Sequence, residues 1–190
     1  MRRITLDIET TGAMGFDTSA MELSLIGIHD TETNEYSSYT VPELPKLWPI
    51  LEHADVLVGY NSDHFDIPIL NKYYTGDLSK IKSVDLLAEI KEVLGKRIKL
   101  DSVAKATLGK GKSGSGLDAV RWWAEGKVDK VRKYCLMDVE ITKDIYEFAL
   151  ANGLVRYDDF GQKRDIKLDT ALWEQETASA IPAMTHALQI

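Results

Sequence analysis

Two carboxylates two residues apart, Asp7 and Glu9 in Leu6-Asp7-Ile8-Glu9-Thr10-Thr11-Gly12, are the first residues of the chain whose spacing suggests chemistry. Ile4 and Leu6 alternate with Thr5 and Asp7, the period of a β-strand, so Asp7 and Glu9 share one face roughly 6 to 7 Å apart. Side by side and unpartnered, they repel. A hard divalent cation between them turns that closeness into an attraction and keeps both ionised. The plainer alternative is an acidic strand end facing water, and further carboxylates in suitable settings decide against it.

Two such carboxylates follow. Asp66 closes the loop Gly59-Tyr60-Asn61-Ser62-Asp63-His64-Phe65-Asp66 and stands in the first turn of a predicted helix, where a carboxylate can simply favour the helix dipole. Yet the loop leaves the end of an apolar run, Val56-Leu57-Val58-Gly59, and ligand sites of open α/β sheets lie beyond such strand ends. Asp138 lies in the longest periodic segment, one helical turn after Tyr134 and among Leu136, Met137, Val139 and Ile141. A buried carboxylate costs several kcal/mol unless paired, and on helical geometry Arg132 and Lys133 point elsewhere, which favours a metal as the partner.

The elements that must hold these residues define an α/β fold. Strands are expected at the first motif, at Glu22 to His29 and at Glu35 to Val41, the last two joined by a turn at Thr31-Glu32-Thr33-Asn34. With the first strand, their order and short connections predict an antiparallel meander. A helix from Glu43 to Ala54 precedes the buried strand Val56 to Gly59, whose continuous apolar character suits a parallel neighbour. Helices are then expected at Phe65 to Tyr74, at Ser83 to Leu94 with Ser83 as N-cap and Gly95 as stop, at Leu100 to Leu108, and at Asp129 to Ala151. The glycine-rich segment 109–116 reads as a loop, and it lacks the spacing and preceding strand of a Walker motif. After Asn152-Gly153, Leu154 to Tyr157 and Arg164 to Leu168 flank a turn and read as a hairpin, followed by a helix-like tail from Thr170 that Pro182 interrupts. We assign 1–152 to the main domain and 153–190 to a hairpin and tail packed on it.

At 190 residues the chain is about the size of one domain. A net charge of −7 argues against nonspecific coating of long nucleic acid but not against an enzyme that grips a few nucleotides through cations. No apolar run reaches the length of a membrane span, and Met1 to Leu6 runs into the first strand without room for a signal peptide, so a cytoplasmic location is expected. The single cysteine, Cys135, excludes an internal disulfide or a multi-cysteine zinc site and reads as core.

In order, Asp7-Ile8-Glu9, Asn61 to Phe65-Asp66, and Tyr134-Cys135-Leu136-Met137-Asp138 resemble the three motifs of the DEDD superfamily of 3′–5′ exonucleases, with Tyr134 marking the DEDDy branch. The likeness is nearest to proofreading domains of family B DNA polymerases and to related stand-alone bacterial exonucleases. It covers roughly residues 2 to 150 and includes Gly59-Tyr60-Asn61, Ser83 to Leu86 and Leu100 to Gly109. It implies a ribonuclease-H-like fold: a mixed five-stranded sheet, three antiparallel strands then parallel ones, flanked by helices. It also implies two divalent cations, Mg²⁺ or Mn²⁺, with Asp7 holding both and Glu9, Asp66 and Asp138 completing the shell. Tyr134 is then expected to orient the attacking water, and Thr10, Thr11, Asn61 and Phe65 to hold the terminal nucleotides. The substrate expected is the 3′ end of single-stranded DNA or RNA, with a separate polymerase or helicase as an associated partner. Lys110 and Lys112 are candidate phosphate contacts. An exonuclease-like module that has lost activity and only recruits partners is the rival, although no carboxylate of the set is missing.

Overall fold

The computed structural model describes residues 1–11, 20–111 and 115–175. Five strands, β1 (Arg3–Thr10), β2 (Leu23–Asp30), β3 (Glu35–Thr40), β4 (Val56–Gly59) and β5 (Ser83–Asp85), form one sheet in the order β3-β2-β1-β4-β5. β1, β2 and β3 pair antiparallel, whereas β4 pairs parallel with β1 and with β5. This is the expected ribonuclease-H-like mixed sheet. Alternation along β1 sends Ile4, Leu6 and Ile8 to one face, where they pack with Leu47 and Leu51 of α1 (Leu44–Glu52) and Ile67 of α2 (Asp66–Leu70). Thr5, Asp7 and Glu9 are left on the other face. That face is covered by α6 (Val128–Asn152), the longest helix, which lies against β1, β2 and β4.

The remaining helices are α3 (Leu86–Leu94), α4 (Leu100–Leu108) and α5 (Gly116–Ala124). Gly95, Gly109 and Gly153 stop α3, α4 and α6 in the left-handed conformation that favours glycine. A hairpin of β6 (Leu154–Asp159) and β7 (Gln162–Lys167) follows α6. Its Val155, Tyr157 and Ile166 join a core with Val56, Val58, Ile141 and Ile145, so the hairpin buries its apolar face against the same layer as the sheet. Among the described residues no helix is long and apolar enough to cross a membrane.

Three expected elements change. The segment from Ser83 begins as a strand: Ser83, Val84 and Asp85 pair with Leu57, Val58 and Gly59, and the helix starts only at Leu86. Its N-cap is therefore Asp85 rather than Ser83, with the carboxylate accepting from the backbone N of Leu87 and Ala88. The helix at Phe65 to Tyr74 shrinks to Asp66–Leu70, because Asn71 turns its side chain onto Leu78 N and Asp77 and the backbone tightens into turns. Finally, α5 was not foreseen behind the glycine-rich loop, although Ser115 and Asp118 form the reciprocal capping box that signals a helix start. Of the tail, residues 170–175 form turns, and Pro182 lies outside the described residues.

Candidate active site

The parallel partner β4 reaches only the first half of β1, pairing Arg3, Ile4 and Thr5 with Val56, Leu57 and Val58. Beyond Thr5 this edge of β1 meets no further strand among the described residues. There the Ile8 backbone N–H donates to Asp66 Oδ1 at 3.0 Å, so a side chain of the β4–α2 connection finishes what β4 leaves undone. This bond joins Asp66 to the amide midway between Asp7 and Glu9. Asp66 is 4% exposed, and burial pushes its carboxyl up to about 7 despite backbone donors that oppose the shift.

From the other side α6 closes over β1. Asp7 pairs with Gly27 of β2, and a Cβ at Gly27 would lie 2.9 Å from Cys135 Sγ, so this glycine permits the close approach of the helix. Oxygens of Asp7 and Glu9 and the Cys135 sulfur come within 4.8 Å of one another. The thiol donates to the Asp7 backbone carbonyl at 3.2 Å, and burial, together with the nearby Asp7, Glu9 and Asp138, holds it protonated far above its ordinary range. In the metal-free protein it is therefore a thiol. The available donors are carboxylate oxygens, a set that suits magnesium or manganese better than zinc. One turn further along, Tyr134 donates its hydroxyl to Asp138, and burial followed by Asp138, Glu9 and Asp7 raises its pKa well above the usual value. Tyr134 and Asp138 are both buried, at 5% and 3% exposure.

The structure therefore brings four expected acids and the tyrosine to one end of β1. The expected substrate residues are placed less uniformly. Thr10 follows an irregularity in the β1–β2 register, and exposed Thr11 donates its N–H to Glu22 O. Phe65 packs with the core under α1 and α2. Asn61 adopts a left-handed φ of 68° and is held there by its N–H on Asp85 Oδ1 at 2.7 Å. Lys110 is a correction: it pairs with Asp144 at 2.8 Å and with Glu140 at 3.7 Å on α6, so its charge is already matched and it is not an open phosphate contact. Lys112 lies outside the described residues.

Two neighbours were missed. Trp122 of α5 meets the Tyr134 ring edge-on at 6.2 Å, bracing it from a helix to which no expectation was attached. Cys135 was read as inert core, although its position three residues before Asp138 already put it on that face.

Removing the Asp66 charge gives a pH test. Because its folded pKa lies above the ordinary carboxylate value, the folded metal-free protein holds a proton there that the unfolded chain has lost. Stability contributed by this group is complete below about pH 4 and declines as pH rises toward about 7. Asp66→Asn keeps an acceptor for Ile8 N and cannot titrate. In chelator, denaturant melts at pH 5 and pH 8 should show wild type losing up to about 3 kcal/mol more than the variant. Parallel pH curves for the two proteins would remove Asp66 as the cause.

A mixed sheet of this order, with acids at the end of its central strand and a long helix closing over them, defines a ribonuclease-H-like fold with an acidic site. The chain belongs to the RNase H superfamily, whose model matches residues 4–150. No curated protein matches the chain. Among solved structures it is similar to the family B DNA polymerase from the hyperthermophilic archaeon Pyrobaculum calidifontis, with a TM-score of 0.63 and 20% identity over 78% of this chain. The match spans 24% of the polymerase, so it speaks for the fold of that portion.

Proposed function

We propose that this protein is a 3′–5′ exonuclease of the DEDDy kind, hydrolysing phosphodiester bonds from the 3′ end of single-stranded nucleic acid and releasing nucleoside 5′-monophosphates. The observation that carries this reading is the convergence on one strand end. Asp7 and Glu9 face α6, Tyr134 and Asp138 meet them from that helix, and Asp66 is bonded to the amide between them. Asp7, Glu9, Asp66 and Asp138 would hold two divalent cations, Mg²⁺ or Mn²⁺, which when bound supply the charge for activating water and stabilising a leaving 3′ oxygen. Tyr134 keeps its proton at neutral pH and serves as a hydrogen-bond donor that orients the attacking water rather than as a base. Thr10, Thr11, Asn61 and Phe65 surround the terminal nucleotides. DNA is favoured over RNA on the likeness to a DNA polymerase, which also motivates a separate polymerase or helicase as partner.

The test uses single-stranded DNA and RNA oligomers labelled at the 5′ end, incubated with magnesium, manganese or chelator. Shortening from the 3′ end, with the label retained until the products are very short, is the expected pattern, and it stops in chelator. Release of the label first, or undiminished digestion in excess chelator, overturns the reading. Binding without any digestion in the presence of metal returns the protein to the class of inactive recruiting modules.

A further inference from the structure

Beside the acidic site lies a cleft of about 290 Å³ between the β4–α2 loop and α3, with Leu87 and Ala88 among its lining and Asn61, His64, Lys91 and Arg97 contributing its polar groups. Both of its walls are held in place. On one side Asp85 accepts from the backbone N of Asn61 at 2.7 Å and of Asp63 at 3.2 Å while also capping α3. On the other, the Tyr60 hydroxyl donates to Ile98 O at 2.6 Å and anchors the segment that carries Arg97. Such bonds arrange the cleft before any ligand arrives.

Two cations of the cleft stand without an ion pair among the described residues. Arg97 Nη2 donates to the neutral Asn61 Oδ1 at 2.6 Å, and the guanidinium forms no ion pair among the described residues. One of its five donors is used, and the rest of the fork suits a phosphate. Lys91 likewise has no carboxylate partner among the described residues. Two acids line the cleft, Asp85 and Glu92. The Asp85 carboxylate is occupied by four backbone donors, which leaves exposed Glu92 as the opposing charge. A chain of net charge −7 repels a strand of phosphates on average, so a local pair of unmatched cations offsets that repulsion where it stands.

We propose that this cleft holds a phosphodiester of the substrate strand upstream of the one that is cut, bound between Arg97 and Lys91. The proposal rests on the exonuclease reading for its choice of ligand. Asn61 links the two places, since the loop that presents its amide to Arg97 also ends at Asp66. The cleft thereby gives an acidic enzyme a sequence-independent grip on nucleic acid, because phosphate contacts position a strand without reading it.

The experiment measures binding of short labelled oligothymidylate and, in parallel, oligouridylate by fluorescence anisotropy in calcium at several salt concentrations, for wild type, Arg97→Gln and Lys91→Gln. Each contact to a single strand contributes about 0.7 to the slope of log affinity against log salt, so each variant should lower that slope by about 0.7 and weaken binding roughly three- to tenfold. Both side chains are exposed, and the variants should melt with wild type. Lys91 makes no bond to the Asn61 loop, so a reduced slope in Lys91→Gln cannot come from a displaced loop, and Arg97→Lys should restore most of the slope that Arg97→Gln loses. The oligomer whose slope responds identifies the source as DNA or RNA. An unchanged slope in both variants, or a wild-type protein that binds neither oligomer, overturns the proposal. A wild-type protein that binds but does not digest overturns the exonuclease reading instead, and the slopes then judge the cleft alone.

Discussion

Asp7→Asn and Asp138→Asn should each reduce exonuclease turnover beyond the roughly 10²- to 10⁴-fold that a single acid–base group contributes, while leaving the metal-free protein as stable as wild type or slightly more so. The two halves of this expectation have one cause. In the absence of cations Asp7, Glu9 and Asp138 crowd Tyr134 and Cys135, and each carboxylate raises the pKa of both groups, which is the signature of concentrated negative charge. Taking one charge away relieves repulsion. Asparagine is nearly isosteric, so no cavity opens at the buried Asp138, and its amide oxygen still accepts the Tyr134 hydroxyl. Thermal melts in chelator and initial rates in manganese check both halves together. A variant that melts far below wild type without metal marks that residue as structural, and one that digests at the wild-type rate removes it from the metal site.

The features legible in the sequence were those written locally. Asp7 and Glu9 share a face because strand alternation is a two-residue property, and Tyr134 and Asp138 meet because they lie one helical turn apart. The α/β class followed from a meander and one apolar run, whereas the five-stranded mixed sheet was implied by the family resemblance. The misreadings fall where a distant segment decides. Ser83 to Asp85 resemble a helix start until the edge of β4 is offered to them, and that edge is supplied by Leu57 to Gly59, each 26 positions upstream of its partner. Asp66 carries no local mark of its bond to Ile8 N, since that bond exists only because β4 stops short. Arg97 escaped notice for the same reason: nothing near it in sequence points to Asn61. Lys110 shows the opposite failure, a basic residue in a flexible-looking loop whose charge α6 had already claimed.

Tyr134→Phe should slow the exonuclease by about 10²- to 10⁴-fold and leave manganese affinity near that of wild type. The substitution deletes one hydroxyl and keeps the ring, which packs with Leu25, Ala119 and Val131 and meets Trp122 edge-on, so the helix does not shift. What disappears is the donor now resting on Asp138. Were Asp138 to hold a cation, that hydroxyl would be available to the attacking water, and in the metal-free protein burial followed by Asp138, Glu9 and Asp7 already keeps it a donor. The pH profile separates positioning from base catalysis. A positioning role lowers the rate by a constant factor across pH 6 to 9, whereas a tyrosine base would give wild type an ascending limb that the phenylalanine variant lacks. A wild-type rate in Tyr134→Phe would end the catalytic assignment. Collapse of manganese affinity, read by calorimetry, would place Tyr134 in the support of Asp138 instead of beside the water.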